Sequence, residues 1–442
     1  MQIRLSDHFT YGKLLRFTLP SIVMMIFTSI YSVVDGFFVS NFVGKTPFAA
    51  VNFIMPFLMI LGTPGFMLGT GGSALIAKNL GEGNKEKANS LFSLLIYTAL
   101  VIGVVISVLG IIFLPQIAAL LGAEGQLLTD SIRYGRIILA ANPAFVLQMV
   151  FQSLMVTAEK PGLGLTFTLT AGVTNMVLDA LLVGVFPLGL EGAALATGIS
   201  QVVGGVAPIC YFALSRSSLL RLGKASLDLR SLVKICANGS SELLSNLSMS
   251  LVGMLYNIQL LRFAGENGVA AYGVMMYINF VFLSIFIGYS IGTAPVISYH
   301  FGAQNHGELQ SLRRKSLWLI SLFSVTMLLS ALALATPFSK LFVGYDPTLL
   351  ELTQQGFYIF SFSFLFAGFA LFLSGFFTAL NDGLTSAIIS FLRTLVFQIA
   401  AVMLLPLIWG VDGIWWSIVV AEVMATAVGL FFMKRNRKKY HY

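Results

Sequence analysis

The residues that could do chemistry are few, and they stand in apolar surroundings. Asp35 and Asp179 each sit inside a long run of Ile, Leu, Val, Met and Phe, and Asn175 precedes Asp179 by four residues. Thr197 follows in the next apolar run. Residues four apart share one helix face, so Asn175 and Asp179 would present an amide and a carboxylate together. Two carboxylates about 4 Å apart at an effective dielectric near 20 repel by about 4 kcal/mol. Such a pair takes up a proton, or binds Na⁺ through its hard oxygens, with the amide and hydroxyl as further ligands. A second polar set comprises Glu242, Asn246 one turn later, Arg393 and Glu422. Burying such ions is costly, so each is a functional candidate. Glu242 and Arg393 are expected to pair as a structural ion pair or gate, with substrate contact as the alternative, while Glu422 is ambiguous.

Other chemistry is missing. His8, His300, His306 and His441 lie in polar segments, away from the apolar runs. No Gly-x-x-x-x-Gly-Lys-Ser/Thr phosphate cradle occurs. Gly69-Thr70-Gly71-Gly72 is glycine-rich but lies within an apolar run, where it favours close helix packing. No cofactor is expected beyond a coupling ion, H⁺ or Na⁺. Cys210 and Cys236 both fall near the same side, so no disulfide is expected.

The elements that must hold these residues follow from composition. Of 442 residues, 57% are hydrophobic and only 10% charged, against roughly 25% charged in soluble domains. This excludes a soluble enzyme, a disordered chain and a secreted disulfide scaffold. Twelve apolar runs reach the ~20 residues that cross a bilayer. They cover 17–41, 50–77, 91–114, 132–157, 163–186, 192–214, 236–262, 270–299, 316–336, 357–380, 385–408 and 412–433. Each must be a helix, because a lipid-spanning segment has to satisfy its own backbone. The net charge of +8 is then a matter of topology, not of nucleic acid. With the N-terminus inside, the inner segments hold twenty of the 26 Lys and Arg, including Arg216, Arg313, Arg314 and Lys434–Lys439. The outer segments hold five (Lys45, Arg133, Arg136, Arg262 and Lys340). Positive charge stays in the cytoplasm, so both termini are expected there, in a multi-pass protein of the cell membrane. The tail 434–442 is expected to be a solvated positive-inside tail, with a juxtamembrane anchor to anionic membrane lipid as the alternative.

An internal repeat sets the architecture. At an offset of 221, Val43-Gly44 falls on Ala264-Gly265, Leu80–Asn84 on Phe301–Asn305, Gly162 on Gly383, and Gly189–Gly192 on Gly410–Gly413. The expected fold is all-α, with two parallel six-helix lobes around a central cavity. The expected boundaries are 1–214 for the N-lobe, 215–235 for a cytoplasmic linker, 236–433 for the C-lobe and 434–442 for the basic tail. Two lobes rocking about a site between them describe a secondary transporter. One chain supplies both halves, so a monomer suffices. Asp35 and Asp179 lie roughly 9–10 Å inside the outer ends of the first and fifth spans, with Asn175 one turn deeper and Thr197 at similar depth. At the same offset Asp35 falls on Tyr256 and Asp179 on Ala400, so ion coupling is expected in the N-lobe. Pro20, near the start of the helix carrying Asp35, either bends it or is a tolerated first-turn proline.

These residues resemble the multidrug and toxic compound extrusion (MATE) transporters over nearly the full chain. The likeness rests on Pro20 and Asp35, Asn175 and Asp179, Thr197, the Gly-Glu-Gly-Asn run at 81–84 and the Gly-Leu-Glu-Gly turn at 189–192. It is similar to the bacterial branch that includes staphylococcal multidrug exporters. The resemblance implies twelve helices in two lobes and export of organic cations in exchange for H⁺ or Na⁺. It places the N-lobe cation site on Asp35, Asn175, Asp179 and Thr197. Some members carry acids on the seventh and tenth helices as a C-lobe cation site; here the span 357–380 has no acid, and Glu242 sits near the inner end of the seventh span. The expectation is an ion-coupled antiporter of small amphipathic organic cations. The alternatives are a lipid-linked precursor flippase, which should line its cavity with several cations, and a channel or receptor.

Overall fold

The computed structural model describes residues 3–38, 42–215 and 218–442. Arg216, counted above among the inner cations, and the outer end of the first span lie outside them. Among the described residues every regular element is a helix. In the first half these are α1 Tyr11–Phe38, α2 Lys45–Gly81, α3 Lys85–Leu120, α4 Gly125–Thr157, α5 Pro161–Asp179 with a wider π turn Ala180–Val185, and α6 Gly189–Leu214.

The seventh and eighth spans form one continuous run, Leu229–Gly302, of 74 residues. A helix of that length would be roughly 110 Å long, far more than the ~30 Å of hydrocarbon. It breaks at Gly265, whose φ of 64° and ψ of −156° are non-helical, giving α7 (229–264) and α8 (266–302). α9 is His306–Val343. α10 is bent by 47° between Pro347–Ser361 and Phe364–Ala379. α11 runs Gly383–Phe391, a π turn Leu392–Val396, Phe397–Leu404 and Pro406–Trp409, and α12 is Val411–Tyr440. The helices overrun the expected spans at many ends, because their first and last turns are polar and hydropathy does not register them. Pro20 lies inside α1, well past its first turn, so it removes a ladder bond there and is no first-turn proline.

The repeat is written into the backbone. Gly44 and Gly265, and Gly189 and Gly410, are matched pairs, and all four have positive φ. Asn84 and Asn305 are also matched, and each caps the following helix by accepting an N–H, from Lys87 at 3.1 Å and from Glu308 at 3.2 Å.

Three cores explain the shape. The largest joins both halves and draws on the ends of α2, α4, α6, α8, α10 and α12 and the starts of α1, α3, α7 and α9. All of these lie on the face that carries the termini, hereafter the terminal face. On the far face each half keeps its own core, one built around Val51–Leu58 and Tyr134–Leu139, the other around Tyr256, Met275 and Trp415. The halves therefore close on the terminal face and part toward the other.

The closed seam lies chiefly between α2 and the α7–α8 run. A Cβ on Gly81 would strike the carbonyl of Tyr299, and one on Gly302 the carbonyl of Lys78. Gly71 against Ile235 and Gly239 against Met67 form a second such pair. Ser298 Oγ donates to the Ala74 carbonyl at 2.5 Å. The N-terminal segment adds a strap: the Leu5 N–H donates to Glu159 at 2.7 Å in the first half, and the Phe9 N–H to Glu308 at 2.9 Å in the second.

Candidate functional site

The four residues expected to hold a cation come together. Asp35 stands near the end of α1, Asn175 and Asp179 on the last turn of α5, and Thr197 in α6. The α1–α5 packing depends on small residues: Gly172 lies where any Cβ would strike the rings of Phe27 and Tyr31. Thr197 Oγ1 donates to Asp35 Oδ1 and Asn175 Nδ2 donates to Thr197 Oγ1, both at 3.5 Å. These are the outer limit of a hydrogen bond, as in a polar cage left slightly too wide for its own members.

Asp179 is 0% exposed, no amide or hydroxyl of the described residues donates to its carboxylate, and the Asp35 carboxyl group is what meets it. The Asn175 amide oxygen is likewise buried and unmatched. Asp35 is the charge that acts on Asp179. Three buried acceptor oxygens beside a second carboxylate are a set that a proton or a hard cation could satisfy. The π turn begins directly after Asp179. Such turns mark functional positions in helices, and here one widens α5 where it carries the acid.

Tyr134 in α4 belongs to the same site and was not expected. It is fully buried, its hydroxyl reaches Met55 Sδ at 3.7 Å, and Asp35, Asp179 and Thr197 all act on it. In a chain with 14 tyrosines, only its position opposite the carboxylates singles it out.

The second half differs from expectation. Arg393 pairs with Glu422, not with Glu242. Its Nε donates to both carboxylate oxygens at 3.1 and 2.9 Å, and one terminal nitrogen donates to Oε1 at 2.8 Å. The side chains are 12% and 6% exposed. Arg393 lies within the π turn of α11, facing α12. Glu242 is half-buried and makes no ion pair among the described residues, although Arg393's charge reaches it. Asn246 donates to the Glu242 backbone carbonyl at 2.8 Å, so it serves its own helix. Where the repeat replaces Asp35 by Tyr256, that hydroxyl donates to Gln398 at 2.6 Å and its ring stacks on Tyr272 at 5.5 Å. The matched position of the second half is thus a satisfied neutral hydrogen bond, with no free carboxylate.

The MatE family model matches twice, over residues 20–181 and 243–404. The chain belongs to the MatE family. It is a multi-pass membrane transporter, and the double match falls on the two halves that the repeat relates. Among its relatives, the multidrug export protein MepA of Staphylococcus haemolyticus is 25% identical over 430 residues, covering 97% of this chain and 94% of that protein. MepA of a Staphylococcus aureus strain is 24% identical with the same coverage. The fold matches a crystallised MATE in complex with MaL6 at a TM-score of 0.92, with 23% identity and 98% of each chain covered. It also matches an outward-facing multidrug resistance MATE family transporter at 0.92, with 22% identity, covering 98% of this chain and 97% of that one.

Proposed function

We propose that this transporter is a multidrug exporter that expels small amphipathic organic cations in exchange for H⁺ or Na⁺. One observation carries the reading: Asp179, wholly buried, meets the Asp35 carboxyl group within a cage completed by Asn175 and Thr197. An ion entering this cage neutralises the two neighbouring carboxylates, and its departure restores their repulsion, so occupancy is tied to shape. Pro20 weakens α1 between the seam and Asp35, which suits it to bend as the cage fills. The lobes are 1–214 and 236–433, joined by 215–235, with a basic cytoplasmic tail at 434–442. Both termini are cytoplasmic, and the far face, where the halves part, is the outside. The chain works as a monomer, and the relatives named for multidrug export support the substrate class.

The energetics suffice. One charge moving down 100 mV yields about 2.3 kcal/mol, and each tenfold uphill step costs about 1.4 kcal/mol. One ion per substrate sustains more than a tenfold gradient. The test is dye efflux from vesicles holding the purified chain, with the pH and Na⁺ gradients imposed separately. One gradient alone is expected to drive efflux, and D35N and D179N are each expected to abolish it while the protein still inserts. Gradient-driven efflux surviving in either variant removes the site assignment.

A further inference from the structure

A groove of about 480 Å³ opens on the terminal face between the start of α1 and the first turns of α9. Tyr11 forms one wall; Arg313, Arg314, Leu317, Trp318 and Ser321 form the other. Tyr11 and Trp318 meet edge to face at 5.5 Å, yet remain 40% and 57% exposed. Arg313 is half-buried with its guanidinium 5.6 Å over the Tyr442 ring, and its Nε is buried without an acceptor. Arg314 is exposed. Among the described residues neither arginine has an ion-pair partner.

The nearby acids are already engaged. Asp7 pairs with Lys13 at 2.8 Å, which holds its carboxyl below the usual range. Glu308 takes His8 at 2.6 Å and the Phe9 N–H. Lys315 Nζ donates to the Phe9 carbonyl and lies 5.9 Å over the Tyr11 ring. Arg437 adds further positive charge facing Arg313. The groove is thus a cationic pocket, and among the described residues no carboxylate pairs with its arginines.

We propose that it binds the phosphate headgroup of an anionic phospholipid. Arginine forks match phosphate oxygens in a bidentate way, and the groove offers two of them side by side, the exposed Arg314 and the half-buried Arg313. Exposed Trp and Tyr sit at headgroup depth in a bilayer, and basic pockets between spans at this level take anionic headgroups. The groove lies where spans leave the membrane, and its flank at Leu317 and Trp318 is open for acyl chains. Tyr11 belongs to the first half and the rest to the second, so a seated headgroup touches both.

The test is native mass spectrometry of the full chain in detergent, with phosphatidylglycerol, phosphatidylcholine or inorganic phosphate added. It does not depend on ion coupling, drug export or which way the termini face. A phosphatidylglycerol adduct is expected to persist where phosphatidylcholine is lost, and millimolar inorganic phosphate should not displace it. R313Q/R314Q is expected to lower its occupancy at least tenfold, while K85Q/K87Q, which removes equal charge from exposed positions elsewhere on the same face, keeps it. Equal retention of the two lipids, displacement by inorganic phosphate, or equal loss in the two variants would overturn the proposal. The comparison of lipids on the unmodified chain decides the matter even if a variant fails to fold.

Discussion

Arg393 and Glu422 show how much a single buried charge depends on its partner. Removing one member of a buried ion pair typically costs 3–5 kcal/mol, because the other charge stays behind in low dielectric, while replacing both with apolar residues is often near neutral. E422Q is therefore expected to destabilise the chain by about 3–5 kcal/mol, and R393M/E422L by far less. Thermal unfolding in detergent compares them; equal losses would show that the pair is not the source of the cost. At this scale the sequence was most informative where burial made charge scarce. Asp35, Asn175, Asp179 and Thr197 stood out because a carboxylate in an apolar run has few explanations. The Glu242–Arg393 pairing failed because depth along two helices says nothing about which way a side chain turns. The π turn at Leu392–Val396, which carries Arg393, leaves no trace in hydropathy. Tyr134 was invisible because tyrosine is at home in any apolar helix.

At the scale of elements, the seam rests on residues with no side chain. Gly81 and Gly239 let α2 and the α7–α8 run approach backbone to backbone, which drives helix association in lipid, where apolar burial gives little. G81L is expected to force the terminal face apart, because backbone cannot yield as a flexible side chain would. A cysteine introduced at Ala74, with Cys210 and Cys236 replaced by serine, should then become accessible to a water-soluble maleimide. Unchanged labelling would show that the seam tolerates the bulk. The repeat matched Gly81 with Gly302 from the sequence alone, but nothing in the sequence said that each glycine would face the other half. The break between the seventh and eighth spans was legible as two apolar runs. Its form, one helical run interrupted at Gly265, was not, because Arg262 to Glu266 read as an ordinary polar loop.

At the scale of the whole molecule, closure on the terminal face is supported by the shared core and by the N-terminal strap. Leu5 and Phe9 are fully buried and reach from Glu159 to Glu308 across the two halves. Deleting residues 1–9 removes both ties and the buried Leu and Phe side chains, each worth about 1.5–3 kcal/mol. The truncated chain is expected to insert, to unfold at lower temperature and to open the terminal face more readily, as read by distances between spin labels on α2 and α8. Distances identical to those of the intact chain would show that the strap contributes no closure. Fold class and span number were legible because lipid imposes length and apolarity on every helix. The conformation was not, since a transporter's open and closed arrangements share one sequence and differ by a few kcal/mol.

The paired glycine contacts carry a last consequence. Gly81 meets Tyr299 while Gly302 meets Lys78, and 221 residues separate each from its counterpart. In a symmetric dimer this is an isologous interface, in which residue i of one subunit touches j of the other and j touches i. The seam therefore has the form of a dimer contact whose two subunits are joined by the connection around residues 215–228. Such a contact does not need the covalent link. Two separate polypeptides, divided in that connection and produced in one cell, are expected to co-purify and to recover the fold of the intact chain.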